Sequence, residues 1–258
     1  YIGGDATFTG NAAGYMEGDG NGGAIFMYSD ADIGNAGEQS IYIEGNATFV
    51  GNQAFGGTTY YGHYYSGDYG NGGAIFMYSG ANGGYTRNQS IYIGGDATFT
   101  DNTALGNGGA IYIETHAGNN TGNQYIHIVG DTDFTDNIAG DNGGAIYMYS
   151  DADDGDTGNQ SIYINGDATF EGNEAGDNGG AIFMYSEGSG YTGYQSIYIG
   201  DIATFTSNIA GGAGGAIYMY SDSDNGDTGN QRIYIGGDAT FTGNAAGYME
   251  GDGNGGAI

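Results

Sequence analysis

The sequence predicts an all-β protein, a β-solenoid in which each repeat of 35–50 residues forms one coil. Two motifs recur in fixed order: I-Y-I-x-G-(D/N)-A-T-F, which runs into F-x-x-N, and then G-G-A-I. Their apolar residues alternate with polar or aromatic ones, and this alternation is the period of a β-strand. Glycine supplies 58 of the 258 residues, which disfavours helices. Because one repeat cannot bury its own apolar face, the repeats are expected to stack on one another.

The seven copies of these motifs indicate one continuous array over residues 1–258 rather than separate domains. The predicted repeats are 1–40, 41–90, 91–125, 126–161, 162–196, 197–232 and 233–258. A longer period is superimposed, because residues 1–25 recur letter for letter as residues 234–258, giving about six coils per 233-residue super-repeat. We therefore interpret the chain as a window of a longer array. A single tandem duplication is the alternative.

Each repeat is predicted to supply about three short strands separated by glycine-rich bends. In I-Y-I the isoleucines face the core, in A-T-F-T the alanine and phenylalanine do so, and in I-(F/Y)-M-Y the isoleucine and methionine do so. The two glycines of G-G-A-I suit a bend that has no room for a Cβ atom. Coils stacked at the parallel-strand spacing of about 4.8 Å would advance about 29 Å over six coils.

The asparagine of F-x-x-N is expected to superpose from coil to coil. Stacked asparagine amides can bond to one another and satisfy the backbone of a turn, as apolar side chains cannot. The predicted ladder consists of Asn11, Asn52, Asn102, Asn137, Asn173, Asn208 and Asn244.

The pairing of G-G-A-I with F-x-x-N resembles the repeat of the polymorphic outer-membrane protein family of chlamydiae. The resemblance covers essentially the whole chain and rests on seven copies of each motif. It implies a right-handed parallel β-helix, secreted as an autotransporter passenger, displayed at a cell surface and acting as an adhesin. The 233-residue super-repeat is not part of that family pattern, and the resemblance implies no particular receptor.

Composition excludes several classes of protein. With 31 Asp and Glu against 2 Lys and Arg, the net charge of −29 disfavours binding to nucleic acid or anionic membranes. The absence of cysteine excludes disulfides, zinc–thiolate sites and iron–sulfur clusters. No apolar run is long enough to span a membrane as a helix.

The sequence does not predict an enzyme. It contains no H-E-x-x-H, G-x-S-x-G or P-loop motif. We interpret His63, in an insertion, His116, in a loop, and His127, in a strand, as residues without a chemical role, and His127 as a surface substitution for the tyrosine of I-Y-I. Enzymes acting on polyuronates need basic residues, of which only Arg87 and Arg232 are present. Carboxylates recur with the repeat, whereas an active site would occur once, so no cofactor is expected except a metal ion.

Acidic loops at residues 151–159 and 222–230 are nearly duplicates, and oxygen ligands clustered around glycine suit Ca²⁺. The candidate ligands are Asp151, Asp153, Asp154, Asp156, Asp222, Asp224 and Asp227. The glycines Gly155 and Gly226 come one position too early for an EF-hand loop, and a solvated acidic loop is the alternative.

Outward-facing tyrosines are the candidate contact face. One column contains Tyr42, Tyr92, Tyr163, Tyr198 and Tyr234, and another contains Tyr28, Tyr78, Tyr149, Tyr185 and Tyr220. A further column, also predicted to face outward, contains Phe26, Phe76, Tyr112, Tyr147, Phe183 and Tyr218. Stacking within a column stabilises the coils, and exposed aromatic stripes also mark interfaces with another rod, a surface glycan or a protein. Ice binding is a weaker alternative, because Val50, Asp133 and Glu171 interrupt the Thr-Phe-Thr array.

The sequence therefore predicts a structural, non-catalytic, extracellular or cell-surface protein that forms a long β-solenoid fibre by end-to-end coil stacking. Its main partner would be a further copy of the same repeat. The alternative is an autotransporter-like adhesin passenger whose aromatic faces, or whose insertion at residues 53–70, bind a host, a glycan or a neighbouring cell surface.

Overall fold

A computed structural model describes residues 1–14, 20–56, 70–247 and 254–258. Within these ranges the protein is all-β, and its strands stack in parallel as a β-solenoid, which confirms the predicted fold class. The strands form four sheets that run along the stacking axis. Among the described residues, no helix is long and apolar enough to cross a membrane.

Four strands per complete coil are present, one more than predicted. The Phe sheet comprises the A-T-F strands β1 (Ala6–Thr9), β5 (Ala47–Val50), β9 (Ala97–Thr100), β13 (Thr132–Thr135), β17 (Ala168–Glu171), β21 (Ala203–Thr206) and β25 (Ala239–Thr242). The unforeseen short sheet comprises β2 (Ala12–Ala13), β6 (Gln53–Ala54), β10 (Thr103–Ala104), β14 (Ile138–Ala139), β18 (Glu174–Ala175), β22 (Ile209–Ala210) and β26 (Ala245–Ala246). Two residues are too few to show a strand period in a sequence.

The other two sheets carry the outward aromatic residues. The Met–Tyr sheet comprises β3 (Ile25–Ala31), β7 (Ile75–Ala81), β11 (Ile111–Ala117), β15 (Ile146–Ala152), β19 (Ile182–Gly188) and β23 (Ile217–Ser223). The Gln sheet comprises β4 (Gln39–Ile43), β8 (Gln89–Ile93), β12 (Gln124–Ile128), β16 (Gln160–Ile164), β20 (Gln195–Ile199) and β24 (Gln231–Ile235).

The register between coils pairs equivalent motif positions. Phe49 lies opposite Phe99, Ile126 opposite Ile162 and Met148 opposite Met184. A shift by one residue would turn every inward side chain outward, so the alternation of the motifs fixes this register.

The core is built from columns of identical side chains. The inward phenylalanines of the Phe sheet stack in parallel, with centroid separations between 4.6 Å and 4.9 Å. Phe49, Phe99, Phe134, Phe170 and Phe205 are fully buried, together with the inward isoleucines and methionines that the inner coils contribute to the Gln and Met–Tyr sheets. Each such side chain contributes roughly 1.5–3 kcal/mol through burial.

Two kinds of turn explain the residues between strands. The third residue of F-x-x-N adopts the left-handed conformation in every coil, which accounts for glycine, aspartate or serine there; Ser207, for example, has φ +56°. In G-G-A-I the first glycine is also left-handed, as at Gly143 with φ +67°. At the second, Gly144, a Cβ atom would overlap the Gly180 carbonyl oxygen of the next coil.

Candidate functional site

The asparagines of F-x-x-N form a continuous hydrogen-bonded column. Each Nδ2 donates to the Oδ1 of the next asparagine at 2.8–2.9 Å, from Asn11 through to Asn244. The same Oδ1 accepts the preceding asparagine's peptide N–H at 3.0–3.1 Å. The second Nδ2 hydrogen of Asn137 bonds to the Phe99 carbonyl at 2.9 Å. These side chains therefore hold the turns of adjacent coils together.

Sequence reasoning missed a second amide column, formed by the glutamine that precedes I-Y-I. Nε2 of Gln89 donates to Oε1 of Gln39 at 2.9 Å. In later coils Gln160 donates in the same way to Gln124 at 3.1 Å, Gln195 donates to Gln160, and Gln231 donates to Gln195. These glutamines are buried in most coils. Their recurrence at one motif position could have revealed them, because a surface glutamine has no reason to recur.

The tyrosines of the Gln sheet lie on its outer face and stack along the axis. The ring centroids of Tyr42 and Tyr92 are 4.6 Å apart, and those of Tyr163 and Tyr198 are 4.3 Å apart. His127 stands edge-on between Tyr92 and Tyr163, at about 90° to both rings. Tyr234 is 42% exposed, and the Arg232 guanidinium lies 5.7 Å from its ring centroid. This column presents ring edges and hydroxyl groups to solvent rather than ring faces.

The tyrosine column of the Met–Tyr sheet is less regular. The ring planes of Tyr149 and Tyr185 are tilted by 33° relative to each other, and those of Tyr185 and Tyr220 by 49°. The Tyr185 hydroxyl donates to the Glu187 carboxylate at 2.8 Å. With Asn142 and Asn178, these rings line a shallow aromatic groove.

The prediction that the neighbouring aromatic column faces solvent is wrong for its central members. Phe76, Tyr112, Tyr147 and Phe183 are buried and form a second apolar cluster. Tyr78, Tyr149, Tyr185 and Tyr218 pack against this cluster and help to cover it. Burial raises the pKa of the Tyr147 hydroxyl well above its usual range.

His116 is on a strand and not in a loop, because the Met–Tyr strand β11 continues through Ala117. Its Cα atom is in register with Gly80 on one side and Asp151 on the other. Nδ1 of His116 lies 3.0 Å from Oδ2 of Asp151, and Nε2 lies 3.7 Å from Oδ2 of Asp153. The hydrogen bond with Asp151 raises the pKa of the imidazole, although burial opposes it.

Glu114 occupies the position that tyrosine holds in the neighbouring strands of the Met–Tyr sheet. Its Cα atom is in register with Tyr78 and Tyr149. Burial raises the pKa of this carboxyl group to about 7, while the nearby His116 lowers it. The coil at residues 91–125 therefore places a carboxyl group and an imidazole on one outward face.

Within the described ranges, no three of the predicted calcium ligands come together around one point. Asp156 uses Oδ1 to accept the Tyr191 peptide N–H at 2.7 Å, and Asp222 is in register with Glu187. Asp154, Asp224 and Asp227 are exposed. Among the described residues, only His116, Asp151 and Asp153 bring three potential ligand atoms within 4.8 Å of one another. The calcium assignment stays a prediction.

Five stretches of the chain match the Chlamydia polymorphic membrane protein repeat, at residues 5–27, 96–114, 131–148, 167–184 and 203–219. Each stretch begins near an A-T-F strand and reaches the G-G-A-I turn or the strand after it. Comparison with curated proteins and with solved structures gave no significant match.

Proposed function

The chain carries repeats of the Chlamydia polymorphic membrane protein type, and on this premise we propose that it is a non-catalytic structural protein of the cell surface. Its β-solenoid would extend by stacking coil upon coil into a fibre, within one long chain or between subunits. The membrane-protein family of the repeat supports the surface location.

The observation that carries this proposal is the identity of residues 1–25 and 234–258. The first segment stacks on the second repeat with Ala6 opposite Ala47 and Phe8 opposite Phe49. The phenylalanine rings of that contact are 4.7 Å apart. Since residues 234–258 have the same sequence, they have the same capacity to receive a further coil in the same register.

Apolar side chains on the last described coil support the same proposal. Ile233, Ile235 and Phe241 pack against the core and are only partly buried. Their counterparts in inner coils, such as Ile197, Ile199 and Phe205, are fully enclosed. A further coil would cover Ile233, Ile235 and Phe241 as it covers those counterparts, and apolar burial would favour its addition.

The charge of the chain sets a condition on such a fibre. Asp96, Asp131 and Asp167 form one column from coil to coil. Asp96 Oδ1 accepts the Asp131 peptide N–H, and Asp131 Oδ1 accepts the Asp167 peptide N–H, each at 3.0 Å. Carboxylates aligned in this way repel one another, as does the net charge of −29 along a rod. We expect Ca²⁺ or high salt to favour assembly and a chelator at low salt to weaken it.

The experiment compares assembly of the natural chain with that of two variants of strand β24. Ile235→Lys places a charge on the inward face, whereas Tyr234→Lys places the same charge on the outward face. Sedimentation velocity and electron microscopy should find filaments for the natural chain and for Tyr234→Lys, and discrete particles for Ile235→Lys. Equal assembly of the two variants, or no assembly of the natural chain, would count against stacking between subunits.

A second candidate function is adhesion through the aromatic face. The observation in its favour is the half-exposed tyrosine column of the Gln sheet, together with the groove along the Met–Tyr sheet. The insertion at 53–70 was the other predicted contact region, and its residues 57–69 lie outside the described residues. Cell or glycan binding that is lost in Tyr163→Ala and Tyr198→Ala, with the fold intact, would support this role.

A further inference from the structure

One coil departs from the repeat on the outward face of its Met–Tyr strand. In the other coils the Met–Tyr strand reads I-(F/Y)-M-Y-S, followed by aspartate, glutamate or glycine. In β11 it reads I-Y-I-E-T-H-A, so Glu114 replaces tyrosine and His116 stands where Gly80 and Asp151 stand in adjacent coils. A local site requires a departure of this kind, because a feature of the repeat itself would recur in every coil.

The register then brings His116 to two carboxylates of the next coil. Asp151 is the next residue in the same column, and Asp153 begins the turn after β15, where its peptide N–H donates to the Ala117 carbonyl at 2.9 Å. Nδ1 of the imidazole lies 3.0 Å from Asp151 Oδ2, and Nε2 lies 3.7 Å from Asp153 Oδ2. The two carboxylates therefore approach the two ring nitrogens separately.

This arrangement is similar to that of a metal-binding histidine and the carboxylate that orients it. A carboxylate that accepts the N–H of one ring nitrogen orients the ring and leaves the other nitrogen free to bind a metal. Two ligand atoms on a tetrahedral zinc ion, each at about 2.0–2.2 Å, are about 3.4 Å apart. The separation of 3.7 Å between His116 Nε2 and Asp153 Oδ2 needs an adjustment of only a few tenths of an ångström.

We propose that His116 Nε2 and an Asp153 carboxylate oxygen bind a borderline divalent metal ion such as Zn²⁺, with Asp151 as the positioning residue. An imidazole ligand favours Zn²⁺ and its neighbours in the transition series over Ca²⁺, which prefers oxygen ligands alone. The Asp153 side chain is 58% exposed, so water completes the coordination and the ion exchanges freely. The bound ion links the coil of residues 91–125 to the following coil and offsets the charge of two carboxylates.

The test measures binding of Zn²⁺ and Co²⁺ to the full chain by titration calorimetry and by the visible spectrum of Co²⁺. His116→Gln should weaken Zn²⁺ binding at least tenfold and remove the Co²⁺ spectrum. Asp151→Asn should weaken Zn²⁺ binding roughly 10–100-fold, the range seen when the hydrogen-bond partner that orients a metal ligand is lost.

The chain offers a matched control in His127→Tyr, which restores the repeat residue and removes an imidazole that stands between two tyrosines. This variant should bind Zn²⁺ like the natural chain. His63 is retained throughout, so any binding that it provides is common to all samples.

Three results would overturn the proposal: unchanged Zn²⁺ affinity in His116→Gln, an equal loss in His127→Tyr, or tighter binding of Ca²⁺ than of Zn²⁺. Circular dichroism of the metal-free variants separates loss of binding from loss of fold. If His116→Gln fails to fold, His116→Asp, which supplies the residue of the adjacent Asp151 position, provides the comparison. It too should lose the Co²⁺ spectrum.

Discussion

Replacing Asn137 by alanine tests the energetic role of the asparagine column. Asn137 is fully buried, and its Oδ1 accepts the Asn102 peptide N–H at 3.1 Å and Asn102 Nδ2 at 2.9 Å. Its own Nδ2 donates to Asn173 Oδ1 and to the Phe99 carbonyl, both at 2.9 Å. Four hydrogen bonds at about 1 kcal/mol each would be lost. The Asn102 N–H would be left buried without its side-chain acceptor, which costs roughly 1–3 kcal/mol where no other partner replaces it.

We therefore expect Asn137→Ala to lower the free energy of unfolding by about 4–7 kcal/mol. The matched control is Asn142→Ala in the same repeat. Asn142 belongs to a similar amide column, in which Asn142 Nδ2 donates to Asn107 Oδ1 at 3.1 Å, but it is only half-buried. Water can replace its partners, so the expected loss is about 1–2 kcal/mol.

Equilibrium unfolding in urea, followed by circular dichroism, measures both losses. Native-state hydrogen exchange shows in addition whether the destabilisation spreads beyond the adjacent coils, as nearest-neighbour coupling in a repeat protein would limit it. Equal losses for the two variants, or a loss below about 1 kcal/mol for Asn137→Ala, would refute the assignment of stability to buried amide bonds.

Three further predictions concern the turns and the buried tyrosines. Gly144→Ala should destabilise the protein by about 3 kcal/mol or more, because the new Cβ overlaps the Gly180 carbonyl, whereas Gly4→Ala meets no atom and should be nearly neutral in thermal melts. Ser207→Gly should raise the free energy of unfolding by roughly 0.5–1 kcal/mol in urea titrations, because glycine adopts the left-handed conformation without strain. The greater conformational entropy of glycine in the unfolded chain offsets part of this stabilisation. Tyr147 is held protonated by burial, so its stabilising contribution is present below the usual tyrosine pKa of about 10 and is lost as the pH rises above it. Tyrosinate absorbance measured against pH should therefore show a tyrosine that ionises only as the circular dichroism signal of the β-sheets disappears. Ionisation of all the tyrosines while the protein is still folded would contradict this.

Much of the fold could be predicted because the sequence repeats with the same period as the structure. The alternation in I-Y-I and A-T-F-T fixes which side chains face inward, and the common register follows from stacking identical motifs. The short sheet could not be predicted in this way, since a strand such as Thr103–Ala104 is too short to alternate. The burial of Phe76 and Tyr147 could not be predicted either, because strand alternation indicates only which side of the sheet a residue faces. It does not show that a neighbouring tyrosine column covers these two side chains.

The candidate metal site was hidden for a different reason. Ligand spacing within a loop directed attention to residues 151–159, whereas the ligand that completes the cluster, His116, comes from the preceding coil. The repeat itself held the missing signal, because His116 precedes Asp151 by one repeat of 35 residues. In a stacked array, residues one period apart are neighbours, so ligands should be sought across coils as well as along the chain.

The central claim is that residues 234–258 receive a further coil as residues 1–25 receive theirs. It is tested most directly by appending one further copy of residues 26–258 and comparing the two proteins by small-angle X-ray scattering and cryo-electron microscopy. The account predicts a rod of unchanged cross-section that is longer by about 29 Å, six intervals of about 4.8 Å. A particle that thickens without lengthening, or two rods joined at an angle, would contradict it.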